Sequence, residues 1–272
     1  MAYLITSKNS DYRNDLQTLI VYRSLLISLV RREIQSDWSL QGLPWLWPIF
    51  RPLIMLYVIA GVRGISSVNL SLGVPYTAYL YIGLVLWFFF VELTTSLSKS
   101  LSSSAAISKK VHIPYIVLLM SRICYSLYQL FLALPAVIIV ILLSGASLKS
   151  TWCLAVFLVP LVVTTAMAVG LLFSMLDFVS RDWSKVLGYI LYIGLLISTV
   201  VFPFNALPNL AKLFVFINPI TAPLELMRFC IFTGYEINNL PVLLILTTLW
   251  LFVFVFVYLI FKKVESLIAD LI

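Results

Sequence analysis

Few residues in this chain have the types and spacing that chemistry requires. The stretch Gly145-Ala-Ser-Leu-Lys149-Ser-Thr151 looks like a phosphate-binding loop but lacks its second glycine. No other stretch comes as near, so the sequence offers no site for ATP. A single histidine, His112, cannot build a multi-histidine metal centre. Ser96 and Lys99 fit S-x-x-K, a spacing that any Ser-rich loop produces by chance, and no nucleophile is matched with a base. Asn69-Leu-Ser71 is a glycosylation sequon of low specificity. Cys124, Cys153 and Cys230 lack C-x-x-C spacing and read as small apolar side chains. A membrane enzyme would gather acids or histidines near an interface. None gather here, which points to a conduit or scaffold with no cofactor or metal of its own.

Ionisable residues inside apolar stretches are the more informative ones, because burying a charge in hydrocarbon is costly. Glu92 is such a residue, read either as functional or as a carboxylate that snorkels or pairs with Lys99. Arg51, between Pro48 and Pro52, faces either a polar cavity or the headgroups. Glu225 and Arg228 lie three apart, so a helix makes them neighbours. They form either a buried pair or an ordinary exposed one.

The elements that carry these residues follow from composition. Of 272 residues, 62% are hydrophobic and 11% charged, with a mean hydropathy of +1.07. A soluble domain is about 45–50% apolar and about 25% charged, so soluble, disordered and collagen-like classes are excluded. The expected fold is an all-α polytopic membrane protein. Six apolar runs, at about 45–62, 77–98, 115–144, 152–176, 186–204 and 240–261, are each long enough to cross ~30 Å of hydrocarbon as a helix. They do not alternate as barrel strands would. Residues 1–15 are polar and lack the apolar core of a cleavable signal peptide. Within residues 1–44, Leu16, Leu19, Ile20, Ile27, Val30 and Ile34 recur at three- and four-residue steps among Arg13, Arg23, Arg31 and Arg32. This predicts an amphipathic helix region at the membrane interface, ahead of a six-span domain over 45–272.

With the N-terminus inside, twelve Lys/Arg fall on the cytoplasmic side and four outside, a positive-inside bias that places both termini in the cytoplasm. The formal net charge of +7 then marks cytoplasmic loops and anionic lipid, not nucleic acid. Between spans two and three lies a cytoplasmic loop rich in Ser and Lys. The outer segment 205–239 is too apolar for a loop. Its pieces 210–217 and 224–232, bounded by Pro203, Pro208, Pro219, Pro223 and Gly234, are too short to span, and predict two re-entrant helices. Aromatics make up 14% of the chain. Tyr57, Tyr81, Trp87, Phe88, Tyr189 and Tyr192 are candidates for a pore lining, against the alternative of an interfacial belt and core packing.

Four ordered stretches carry a resemblance. Trp47-Pro-Ile-Phe-Arg-Pro52 resembles W-x-x-x-x-P at the start of a first span. The stretch from Pro75-Tyr-Thr-Ala-Tyr79 through Gly83 to Trp87-Phe-Phe89 resembles P-Y-x-x-[FY]-x-x-x-G-x-x-x-W-x-[FL]. Lys110-Val-His-Ile-Pro114 resembles K-V-x-F-P. Arg181-Asp182, Asn218-Pro219, Glu225-Leu-Met-Arg228 and Glu265-Ser-Leu-Ile-Ala-Asp270 follow in order as R-D, N-P, E-x-x-R and E-x-x-F-A-D. Together they are similar to the membrane subunit of type-2 ABC exporters for O-antigen, capsule and other surface polysaccharides, with teichoic-acid permeases as relatives. The chain departs from the pattern at Asp37-Trp38, where R-Y is frequent, and at Pro44, where a glycine is.

The resemblance implies a homodimer in the bacterial inner membrane that carries a lipid-linked polysaccharide. It also implies a separate ATPase subunit in two copies, holding ATP and Mg. It places Lys109, Lys110, His112 and Pro114 at the ATPase contact, and Asn218, Pro219, Glu225 and Arg228 at a periplasmic gate. Two other readings compete. A drug or lipid permease of the same type usually carries a larger outer domain than the short 63–76 segment. An ion-coupled secondary transporter would need a relay of which only Glu92 is present.

Overall fold

The computed structural model describes residues 14–40, 42–65, 73–102, 114–204, 212, 214–215, 217–237 and 240–271. Its elements are α1 (Asn14–Val21), α2 (Arg23–Leu40), α3 (Trp47–Ile65), α4 (Tyr76–Ser98), α5 (Tyr115–Ser144), α6 (Val159–Val179), α7 (Asp182–Leu196), α8 (Thr221–Ile231) and α9 (Leu240–Leu271). A 3₁₀ turn at Pro44–Leu46 leads into α3, and another at Trp152–Leu158 leads into α6. Among the described residues no strand forms, beyond one isolated bridge between Leu148 and Phe232.

Five stretches are long and apolar enough to cross a membrane: Pro44–Val62, Tyr76–Ser98, Tyr115–Ser144, Trp152–Val179 and Leu240–Glu265. The chain is therefore an all-helical multi-pass membrane protein. Pro52 inside α3 and Pro135 inside α5 break no helix, as neighbouring helices in a membrane bundle can accommodate the freed backbone groups. The fifth apolar run, 186–204, behaves differently. Its helix α7 has 15 residues and stops at Leu196, a rise of about 22 Å. The chain then unwinds through 197–204.

Helix α4 is the centre of the bundle. It is apolar around its whole circumference and buries Tyr79, Tyr81, Trp87, Phe90, Leu93 and most of its other residues. A helix that is hydrophobic all round belongs inside other helices, and here α3, α5, α6, α7 and α8 surround it. Its crossing with α6 is close because Gly170 has no side chain. A Cβ there would stand 2.7 Å from Leu97 Cβ and 3.1 Å from the Thr94 carbonyl oxygen. Small residues permit such close packing in membranes. Beyond that crossing, the stretch just after α4 is joined to α6 by polar bonds. Ser100 and Ser174 share a hydrogen bond of 2.9 Å, and Ser102 donates to Asp177 Oδ2 at 2.9 Å.

The N-terminal region divides at Tyr22 into α1 and α2, and α2 packs along α5. At the far end of α9, Lys262 Nζ lies 2.9 Å from Asp15 Oδ1 and 3.3 Å from Glu265 Oε2. The Tyr258 hydroxyl donates to Asp15 Oδ2 at 2.6 Å. Lys262 is buried, so this cluster ties the first helix to the last. Lys262→Met is expected to free α1. Limited proteolysis should then cut faster at the Tyr22 turn, with the α5–α6 connection unaffected.

Candidate functional site

The unwound segment after α7 marks the first site. A carbonyl in hydrocarbon must find a donor, and three consecutive ones here find side chains on other helices. Thr199 O accepts from the Tyr79 hydroxyl at 2.6 Å and from Arg228 Nη1 at 2.7 Å. Val200 O accepts from Arg228 Nη2 at 3.3 Å, and Val201 O from the Tyr76 hydroxyl at 3.1 Å. Arg228 also donates from Nη2 to Tyr79 O at 3.0 Å, and its Cζ stands 3.5 Å from the centre of the Tyr79 ring.

Arg228 is fully buried, and so is balanced by charge. Glu225 Oε1 lies 3.1 Å from its Nη1, and Glu225 Oε2 accepts from the Tyr235 hydroxyl at 2.5 Å. The two residues are therefore a buried pair, not an exposed one. The fork of a guanidinium suits this place because it can serve several acceptors at once. Gly83 on α4 makes room for it, since a Cβ there would collide with Arg228 Nη2 and press on Val200. Asn218 joins the same region. Its Nδ2 donates to Gly194 O at 3.2 Å, while its Oδ1 accepts from the Ile220 amide at 3.3 Å. Pro219 occupies the turn that enters α8.

The second site is a partly open cavity of about 120 Å³ lined by α3, α4, α5 and the end of α2. Each long helix contributes one face: Trp47, Pro48 and Arg51 from α3; Val85, Phe88, Phe89 and Glu92 from α4; Ser126, Gln129 and Ala133 from α5. The four-residue steps follow helical periodicity. Arg51 Nη1 lies 3.6 Å from Glu92 Oε2. Glu92 thus meets Arg51 at the cavity rather than Lys99. On the opposite wall Gln129 donates to the Tyr125 hydroxyl, which donates to Asp37. Sequence reasoning noted Arg51 and Glu92 but missed Asp37, Tyr125 and Gln129. The four-residue spacing of Tyr125 and Gln129 on one face of an apolar helix was the available signal.

The aromatic candidates separate into two groups. Tyr81 and Trp87 are buried inside the bundle, with Trp87 tilted against Phe90 at 5.8 Å and close to Gly194. They are core, because their side of α4 is covered by neighbouring helices. Phe88 is half-buried and lines the Arg51 cavity. Tyr57, Tyr189 and Tyr192 project from the bundle at 76%, 72% and 68% exposure. Helix α7 buries only the stripe Leu187, Leu191 and Leu195, leaving its tyrosine face uncovered. Pro114 starts α5, whereas Lys109, Lys110 and His112 lie outside the described residues. Among the described residues no group of His, Cys, Asp or Glu could hold a metal ion.

Comparison with known proteins places these features in a family. The chain is similar to the O-antigen export system permease protein RfbA of Myxococcus xanthus, 24% identical over 196 residues, covering 70% of this chain and 73% of that one. It is also similar to the polysialic acid transport protein KpsM of Escherichia coli, 22% identical over 209 residues, covering 76% and 81%. The model of the ABC-2 type transporter family matches residues 24–232, a stretch that holds both sites apart from Tyr235, and the chain belongs to that family of membrane transport subunits.

Proposed function

We propose that this chain is the channel-forming subunit of an ATP-driven exporter that moves a lipid-linked surface polysaccharide across the bacterial inner membrane. The observation that carries the reading is the family membership together with relatives that are an O-antigen export permease and a polysialic acid transport protein. In this reading ATP and Mg are held by a separate ATPase subunit, two copies of which dock on two copies of this chain. The N-terminal region 1–44 lies at the cytoplasmic interface beside the ATPase, and the loop holding Lys109, Lys110 and His112 ahead of Pro114 takes its stroke. The domain 45–272 then supplies six spans, the fifth being α7 and its unwound continuation, and both termini are cytoplasmic. Helix α8, 11 residues long, re-enters the outer leaflet as a gate held by Asn218, Pro219, Glu225 and Arg228; the expected 210–217 piece lies largely outside the described residues.

The uncovered faces of α3 and α7 support a pore between two copies. An apolar surface this exposed calls for lipid or a second protein, and tyrosines suit sugars, since an aromatic body offers weak apolar contact while the hydroxyl stays wet. Weak, repeated contacts let a polymer enter and leave. The double change Tyr189→Ala, Tyr192→Ala is expected to slow export several-fold at equal protein level, compared by surface-polysaccharide assay and immunoblot. Deleting the gene in its native host tests the proposal itself. Surface polysaccharide should vanish while its lipid-linked precursor accumulates inside, and a plasmid copy should restore it. An unchanged surface would refute the reading.

A further inference from the structure

We propose that the cavity between α3, α4 and α5 is a sugar-binding subsite, gripping the edge of one neutral or amino-bearing sugar ring of the cargo; this rests on the polysaccharide reading above. Its lining has the chemistry that hydroxyl-rich rings need. Trp47, Phe88 and Phe89 offer flat apolar faces, and Asp37, Glu92 and Gln129 offer planar polar groups beside them. Each of the three keeps spare bonding capacity. Asp37 bonds through Oδ2, Glu92 through Oε2 and Gln129 through Nε2, so Asp37 Oδ1, Glu92 Oε1 and Gln129 Oε1 have no bond among the described residues. Arg51, about half exposed, meets Glu92 at 3.6 Å, too long for a good hydrogen bond. Its donors therefore remain available to a ligand.

Charge and size narrow the occupant. Two carboxylates against one guanidinium leave the cavity acidic, which disfavours a phosphate and suits hydroxyl donors or an ammonium. The polar lining disfavours a lipid tail. At ~30 Å³ per water, the 120 Å³ cavity has room for about four waters. That is enough for one polar edge of a sugar ring, with the rest of the ring at the open mouth beside half-exposed Arg51 and Trp47.

The test uses the complete exporter, this chain with its ATPase, in lipid nanodiscs. ATP hydrolysis is titrated with the lipid-linked glycan extracted from the native host and, separately, with the same carrier lipid after its glycan has been cleaved off. The variants are Gln129→Leu and Trp47→Ala; Trp47 is about half exposed, so its truncation leaves the core intact. Each should raise KM for the glycan-bearing lipid roughly tenfold, as the loss of one or two ligand contacts would, with kcat and the response to bare carrier unchanged. Unchanged KM in both variants would overturn the subsite. So would an equal rise for bare carrier, which would assign the cavity to the carrier's headgroup. If glycan-bearing lipid fails to stimulate the wild-type exporter at all, the polysaccharide reading itself falls and the subsite with it.

Discussion

Arg228→Met is expected to lower the stability of the protein by about 3–5 kcal/mol, the usual result of removing one partner from a buried ion pair. Methionine fills a similar volume but donates nothing. Val200 O would lose the donor it has in this fold, Tyr79 O would keep only the bond of its own helix, and Glu225 would keep only Tyr235. Against a typical total of about 5–15 kcal/mol, such a loss should appear as a much lower membrane level and an early melting transition in detergent. Arg228→Lys should be intermediate, because one ammonium cannot serve four acceptors. Exchanging the charges, Glu225→Arg with Arg228→Glu, tests pairing in an exposed ion pair but should not rescue here. A carboxylate at 228 cannot donate to the carbonyls of Thr199, Val200 and Tyr79, and would repel them. Glu225→Gln should be the mildest change, since its amide oxygen can still accept. Wild-type level and melting in Arg228→Met would mean that the guanidinium does not hold this region together.

Gly83→Ala is expected to be damaging although it adds a single methyl group. The new Cβ would occupy the place of Arg228 Nη2 and stand 3.2 Å from Val200 Cγ1 and 3.3 Å from Val200 Cα. The guanidinium cannot swing aside without giving up its carbonyl partners, and Val200 is pinned by the same bonds. Overpacking of this kind costs about 1–3 kcal/mol. Gly188→Ala on α7 is the control, because a Cβ there meets nothing within 4 Å. Alanine also favours helix over glycine by up to about 1 kcal/mol. Melting temperatures of the two variants in one detergent should therefore move in opposite directions.

What the sequence made legible was set by local physics. Long apolar runs become spans because the backbone must satisfy itself in hydrocarbon, and that rule needs no partner. Five of the six expected runs appear as helices of spanning length. The run 186–204 is equally apolar, yet its helix ends at Leu196. Its later carbonyls are taken by Arg228, 28 to 29 residues away, and by Tyr76 and Tyr79, more than a hundred residues away. Hydropathy and periodicity report on neighbours along the chain and are blind to such donors. The same limit explains Glu92, for which Lys99 was the nearest base in sequence while Arg51, on the adjacent helix, is its partner in space. The pairing of Glu225 with Arg228 was readable because both lie on one helix, three residues apart. The inward or outward sense of the aromatics was not. Tyr81 and Tyr192 are the same residue type in similarly apolar runs, but one is in the central helix and the other on a helix buried along a single stripe.

Transport itself gives the most direct test. The chain and its ATPase are reconstituted in proteoliposomes with the native lipid-linked glycan on the ATPase-bearing side, and glycan reaching the opposite side is measured by lectin or antibody. Movement should require ATP and both subunits, and should stop when the ATPase carries a substitution that blocks hydrolysis. Movement without ATP, or none with both subunits present and hydrolysing, would contradict the assignment of this chain as a polysaccharide export channel.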